Sequence, residues 1–196
     1  MPGELGTFCS LTGERLDAAD GVAAGIATHR VASTRFSDLT EALCGAVPVD
    51  ALLGAFAQPT GSGAVVARRP AIDRLFRPDR VEDILAALDT EAALNAPEAD
   101  FASSTAALIR TKSPTSLKLT RAQMRRGATL DFTGCMRTEF RIVSRVVHGH
   151  DLYEGIRAVI IDKDQAPRWQ PSTLAAVSTA EVERYFAPLA HELELP

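Results

Sequence analysis

One stretch of this sequence reads as extended, Ile26–Val31, and no second stretch offers it a partner. A lone strand leaves its backbone N–H and C=O groups unpaired, so helices must carry the fold. The rest of the chain agrees. Val81, Ile84, Leu85 and Leu88 are spaced for one face of a helix over 80–88. Pro97–Lys112 follows, with Phe101, Ala106, Leu108 and Ile109. Ser113-Pro114-Thr115-Ser116 is a strong helix start. Ser113 can cap, and Pro114 fits the first turn because its missing N–H would be an orphan donor anyway. Met136, Phe140, Val143 and Val147 recur at helical spacing and predict a long apolar stripe that Gly149 ends. Asp151 and Glu154 stand at capping-box spacing ahead of Leu152, Ile156, Val159 and Ile160. A last helix is predicted from Thr179 to Leu189, facing inward with Val182, Tyr185, Phe186 and Leu189.

The first part is less regular. Leu5, Phe8, Cys9 and Leu11 suggest a short helix ending near Gly13. Asp17 can cap a second helix with Ala18, Val22 and Ala23 on one face and Gly25 as its stop. Ser37 and Glu41 open a third, with Leu39, Leu43 and Cys44 inside, and Pro48 restarts the chain into Val49, Leu52, Leu53 and Phe56. Pro59–Gly63 is a breaker cluster and reads as a loop.

Charge and composition exclude several function classes. The 21 Lys and Arg against 25 Asp and Glu leave a net charge of −4, which is no footprint for DNA or RNA. No run of 18 apolar residues exists to span a membrane. Met1-Pro2-Gly3-Glu4 lacks the basic and apolar regions of a signal peptide. Cys9, Cys44 and Cys135 form no CxxC pair and read as reduced thiols, so a cytoplasmic location is expected.

No P-loop, GxGxxG, HExxH or GxSxG motif occurs. His148 and His150 could hold a metal on an extended segment, or could sit at a helix C-terminus against its dipole. No metal is expected. Glu98 and Asp100 read as first-turn acids of a helix more readily than as a catalytic pair. Gly61-Ser62-Gly63 with Arg68 and Arg69 could cradle a phosphate or be a surface loop. Gly155 in a helix costs about 1 kcal/mol relative to Ala, which suggests a close approach there. Trp169, between Pro167 and Pro171, reads as an anchor for the tail.

Several stretches, in order, carry a resemblance. They are Leu11–Leu16, Ala18–Asp20, Ala24–His29, Ser113–Lys118 and Met136–Arg141, followed by the tail Gly149–Asp151, Glu154–Val159, Ile161–Gln165 and Pro167–Trp169. Together they resemble the 3-hydroxyisobutyryl-CoA hydrolases of the crotonase (enoyl-CoA hydratase/isomerase) superfamily. The Gly-x-Arg-Ala-Val-x-Ile-Asp-Lys-Asp series, here Gly155–Asp164, is the most specific part.

The resemblance implies a mostly α chain, the C-terminal helical portion of an α/β ClpP/crotonase-like fold with its ββα spiral core largely missing. Residues 1–45 would be the tail end of that core, and 46–196 the helical region. It implies hydrolysis of an acyl-CoA thioester in valine degradation, with CoA as part of the substrate and no other cofactor. The family's Met-Pro-Glu and Phe-Pro-Asp-Val-Gly-Gly segments should precede Leu11, and nothing there matches them. No catalytic residue is therefore carried over, and a fragment inactive alone is expected. Lys163 is the residue expected to contact a CoA phosphate, with Arg157 second; Lys163 could equally be a helix C-terminal cation. A non-enzymatic assembly or regulatory subunit, paired with a complete or split crotonase or with its own copies, is the alternative. An enoyl-CoA hydratase or isomerase relative is the third.

Overall fold

The structure is a computed structural model describing residues 1–94 and 97–195. Among the described residues there is no strand. Two compact units form, Met1–Cys9 with Gly13–Phe76, and Ser10–Thr12 with Arg77–Pro196.

The first unit takes in Leu5–Cys9 of α1 (Leu5–Thr12), a helix closed by Gly13 at φ +74, whose N–H donates to the Cys9 carbonyl. Leu5 and Phe8 are buried with Ile72 and Leu75 of α6 (Arg69–Leu75) and with Phe76. Phe8 meets Phe76 edge to face with ring centroids 5.3 Å apart. Gly3 is required by geometry: its φ is +58, and a Cβ there would collide with the Asp73 carboxylate, which accepts the Glu4 N–H at 2.8 Å.

Asp17 caps α2 (Ala18–Ala23) as expected, accepting the Asp20 N–H at 2.7 Å. The buried side of α2 is Asp20 and Gly21, with Ala24 beyond it, and not Ala18, Val22 and Ala23. Asp20 is drawn inward because it serves backbone donors elsewhere in the unit. Ile26–Val31 forms no strand. Its first two N–H groups turn back to the Gly21 carbonyl, and Arg30 accepts one bond from Gln58 at 2.8 Å. With no ladder to join, Ile26 stays 60% exposed.

α3 (Phe36–Leu43) follows a 3-10 turn at Ser33–Arg35 and has no side-chain cap from Ser37. It buries none of its residues, so Leu39, Leu43 and Cys44 are not inside. It packs with α4 (Val49–Phe56), where Leu52 is buried. Pro59–Gly63 is a loop leading into α5 (Ala64–Ala67).

The second unit matches its sequence pattern better. α7 (Val81–Ala93) buries Val81, Ile84, Leu85 and Leu88, and packs along α8 (Ala99–Arg110). α9 (Pro114–Gly127) starts where predicted, with the Ser113 hydroxyl accepting the Ser116 N–H at 3.1 Å. Lys118 joins Glu82 of α7 at 2.8 Å and the Val177 carbonyl at 2.9 Å. Burial alone would raise the Glu82 carboxyl. Hydrogen bonds from Lys118 and from its own backbone outweigh burial and hold it below its usual range.

α10 (Phe132–Val146) is the long helix expected before Gly149, but it buries a different face. Val143 is 49% and Val147 36% exposed. The inward row is shifted by one residue in the C-terminal half of the helix, to Ile142 and Val146, while Met136 and Phe140 stay half-buried and Glu139 is exposed. Cys135 reaches the Gly127 carbonyl of α9, Gln123 bonds Glu139, and Ile142 and Val146 pack with Leu119, Val177, Val182 and Phe186. Arg137, Arg141 and Arg145, four residues apart, bond the C-terminal segment through Leu193, Glu192, Phe186, Tyr185 and Pro188. α11 (His150–Ile156) runs into a π-helical turn, Arg157–Ile161. α12 (Thr179–Phe186) is capped by Ser178 and ends before Leu189.

Candidate functional site

The site belongs to the second unit and is built by α11 and the extended segment after it. The Asp151–Glu154 spacing does not make a capping box. Gly149 is the N-cap of α11 and no side chain caps it. The two carboxylates are used across space instead. Asp151 accepts the Ser113 hydroxyl at 2.5 Å, the Gln170 N–H at 2.8 Å and lies 3.0 Å from His150 Nδ1. One acid thus ties the start of α9 to α11 and to the returning tail.

Glu154 faces Arg157 through two parallel bonds, 2.9 and 2.8 Å, and accepts the Arg168 N–H at 2.7 Å. The guanidinium and the Arg168 amide both favour the charged carboxylate and lower Glu154 to about 2. Arg157 also donates to Asp162 and Asp164, each at 2.7 Å, and to the Ala166 carbonyl at 3.2 Å. Three carboxylates raise Arg157 above its ordinary value. Asp164 is lowered, first by the Ala166 N–H and then by Arg157.

The chain reverses between these acids. Lys163 and Gln165 take φ of +57 and +55, and the Gln165 N–H closes onto the Ala158 carbonyl at 3.0 Å. Lys163 therefore projects from a turn whose flanking aspartates are already bound to Arg157. It is exposed and has no partner among the described residues.

Gly155 has the close neighbour its position suggested. A Cβ there would lie 3.3 Å from the Trp169 ring. Trp169 also donates from Nε1 to the Thr111 carbonyl at 2.9 Å, so it anchors the tail. Next to it lies a pocket of about 440 Å³. Leu119, Val146, Leu152, Ile156, Ile160 and Trp169 give it apolar walls. Lys112, Ser116, His150 and Glu181 add polar groups. Sequence reasoning did not single out Lys112 or Glu181, which come from separate parts of the chain, and it read Tyr185 only as an inward-facing residue of the last helix.

Other candidates resolve differently. His150 pairs with Asp151, His148 is exposed, and no group of three metal-binding side chains occurs among the described residues. Asp100 sits in the first turn of α8, with Glu98 at its N-cap position. The Gly61–Gly63 loop does lead to a helix start, but an internal anion fills it. Asp20 accepts the Val65 and Val66 N–H groups at 3.0 and 2.9 Å, and a Cβ on Gly63 would collide with that carboxylate. Cys9 lies in its unit under partial burial, which with Glu14 and Asp20 nearby raises its thiol and makes it a poor nucleophile.

The chain matches the enoyl-CoA hydratase/isomerase family over residues 1–186 and belongs to that family. It is 37% identical to a protein named mitochondrial 3-hydroxyisobutyryl-CoA hydrolase from Danio rerio, over 96% of this chain and 50% of that protein. It is 36% identical to 3-hydroxyisobutyryl-CoA hydrolase 1 from Arabidopsis thaliana, over 100% of this chain and 54% of the relative. It is also 36% identical to small ribosomal subunit protein mS47 of Arabidopsis thaliana, over 100% and 51%. Among solved structures it resembles a carnitinyl-CoA dehydratase from Mycobacterium thermoresistibile. The TM-score is 0.88 at 39% identity, covering 98% of this chain and 54% of that one. The chain thus spans about half the length of the curated relatives it matches.

The fold expected from the resemblance is the one found: helices matching the C-terminal part of crotonase-superfamily enzymes. The cytoplasmic expectation is corrected. Relatives of this similarity are named mitochondrial. Three free thiols fit any reducing compartment and never distinguished the cytoplasm from another.

Proposed function

We propose that this chain supplies the C-terminal helical part of an acyl-CoA enzyme acting on 3-hydroxyisobutyryl-CoA in valine degradation. One observation carries the reading: an ordered match along nearly the whole chain to proteins named for that hydrolysis, including the Gly155–Asp164 series. Thioester hydrolysis puts negative charge on the carbonyl oxygen, and positioned N–H donors there are worth about 10²–10³ each in rate. In this reading those donors, and the carboxylate that activates water, come from outside these 196 residues. This chain's part is to bind and cover. Lys163 contacts a CoA phosphate as a point charge, and Arg157 holds the turn that presents it.

The test is release of free CoA from 3-hydroxyisobutyryl-CoA by the chain alone and by the chain mixed with the other half of a full-length relative. No turnover alone and turnover in the mixture are expected. Turnover by the chain alone would overturn the reading. In the active mixture, Lys163→Ala is expected to raise KM about tenfold with kcat nearly unchanged, since it removes binding common to substrate and transition state.

A second reading has its own observation. An equally similar relative is named as a ribosomal protein, so this helical region also occurs where hydrolysis is not the named role. Under that reading the chain is an assembly subunit. Stable co-purification with a partner and no turnover in any mixture would favour it.

A further inference from the structure

We propose that the pocket beside Trp169 binds a small aliphatic zwitterion, a molecule carrying an ammonium and a carboxylate on a branched apolar body. The inference does not rest on the acyl-CoA reading. It starts from two charges. Lys112, just before α9, and Glu181, in the first turn of α12, both line this pocket and are both half-buried. Neither side chain has an ion-pair or hydrogen-bond partner among the described residues. Half-buried charges normally find partners, because partial desolvation without one is costly.

These two face the same space and yet do not pair, so their charged atoms stand more than 4.0 Å apart. A ligand with one charge of each sign can answer both. Its carboxylate would meet Lys112 and its ammonium would meet Glu181. The same wall holds Thr115, which is 8% exposed and whose hydroxyl has no hydrogen-bond partner among the described residues. A buried hydroxyl left without a partner is costly. Thr115 stands in the first turn of α9, where a carboxylate is favoured by the helix dipole.

The remaining walls select the body of the ligand. Leu119, Ile156, Ile160 and Trp169 offer apolar surface. A volume of about 440 Å³ suits a small molecule. A fatty acid would leave Glu181 unanswered, and an aliphatic amine would leave Lys112 unanswered.

Trp169 is the chain's one tryptophan and lies in the pocket wall, so its fluorescence reports the site directly. The full 196-residue chain is titrated with L-leucine, with 4-methylpentanoate and with 3-methylbutylamine. Leucine is expected to give a saturable change, and each singly charged analogue to bind about tenfold more weakly, the loss of one charged hydrogen bond. Glu181→Gln should erase the preference over 4-methylpentanoate, and Lys112→Gln the preference over 3-methylbutylamine. No saturable leucine signal, or equal binding of all three probes, overturns the proposal. The probe series on the unsubstituted chain decides this even if a variant fails to fold. If either folded variant keeps its full preference, the assigned charge is wrong and the proposal falls.

Discussion

Two regions of the second unit are held together by different physics. α7 and α8 pack over Ile84, Leu88, Ala102, Ala106 and Ile109, none more than 1% exposed. The region from α11 through the tail has Ala158 as its one fully buried apolar side chain between His150 and Trp169. Asp151, Glu154 and Arg157 fix it instead. The consequence shows on its surface. Val159, Ile160 and Ile161 are 53%, 63% and 69% exposed. A segment held by charged hydrogen bonds does not need its apolar side chains for its own packing.

The largest expected effect tests the apolar side of this contrast. Leu88→Ala removes a fully buried side chain from the α7–α8 contact. It should cost about 2–5 kcal/mol in urea unfolding, the lost transfer energy plus the cavity left behind. The loss should be the same at pH 7 and pH 4, because no titrating group is involved. A cost under about 1 kcal/mol would mean that the hairpin collapses around the gap and is less tightly packed than its burial indicates.

The charged side predicts a smaller effect with a pH signature. Glu154 is lowered from 4.5 to about 2 in the folded chain, chiefly by Arg157. A depressed carboxylate contributes stability that is fully present above its unfolded value and is lost as pH falls through the folded one. Glu154→Gln should therefore lower the melting temperature by a few degrees at pH 7. The gap to the unsubstituted chain should close between about pH 4.5 and pH 2. A gap that is constant over this range would assign the role of Glu154 to shape and neutral hydrogen bonding.

The same contrast explains what could be read in advance. α7 and the start of α9 were legible because their signals are local: helical spacing in one case, and Ser113-Pro114 in the other. The tail was legible only as a family pattern. Its purpose was not, since Arg157 reaches Asp162 and Asp164 only after the chain reverses at Lys163 and Gln165. Asp20 was missed for a related reason. Its donors at Val65 and Val66 lie 45 and 46 residues away. The pocket charges at Lys112 and Glu181 share no local motif at all. Ile26–Val31 shows the opposite failure, a local preference with nothing distant to satisfy it.

α10 gives the smallest expected effect and the finest test of pattern reading. Two rows run along it one residue apart. The row Met136, Phe140, Val143, Val147 is wholly apolar, whereas Cys135, Glu139, Ile142, Val146 contains a glutamate. Periodicity favours the first, yet in the C-terminal half of the helix Ile142 and Val146 pack with the helices of this unit and Val143 and Val147 are exposed. Val143→Thr keeps the shape and β-branching of the side chain and adds a hydroxyl. At this exposed position it should change stability by no more than about 0.5 kcal/mol. Ile142→Thr, one position earlier, should cost at least about 1 kcal/mol, because it places a hydroxyl among buried apolar side chains. Equal costs at the two positions would show that α10 is turned about its axis relative to the arrangement described, with the apolar row inward after all.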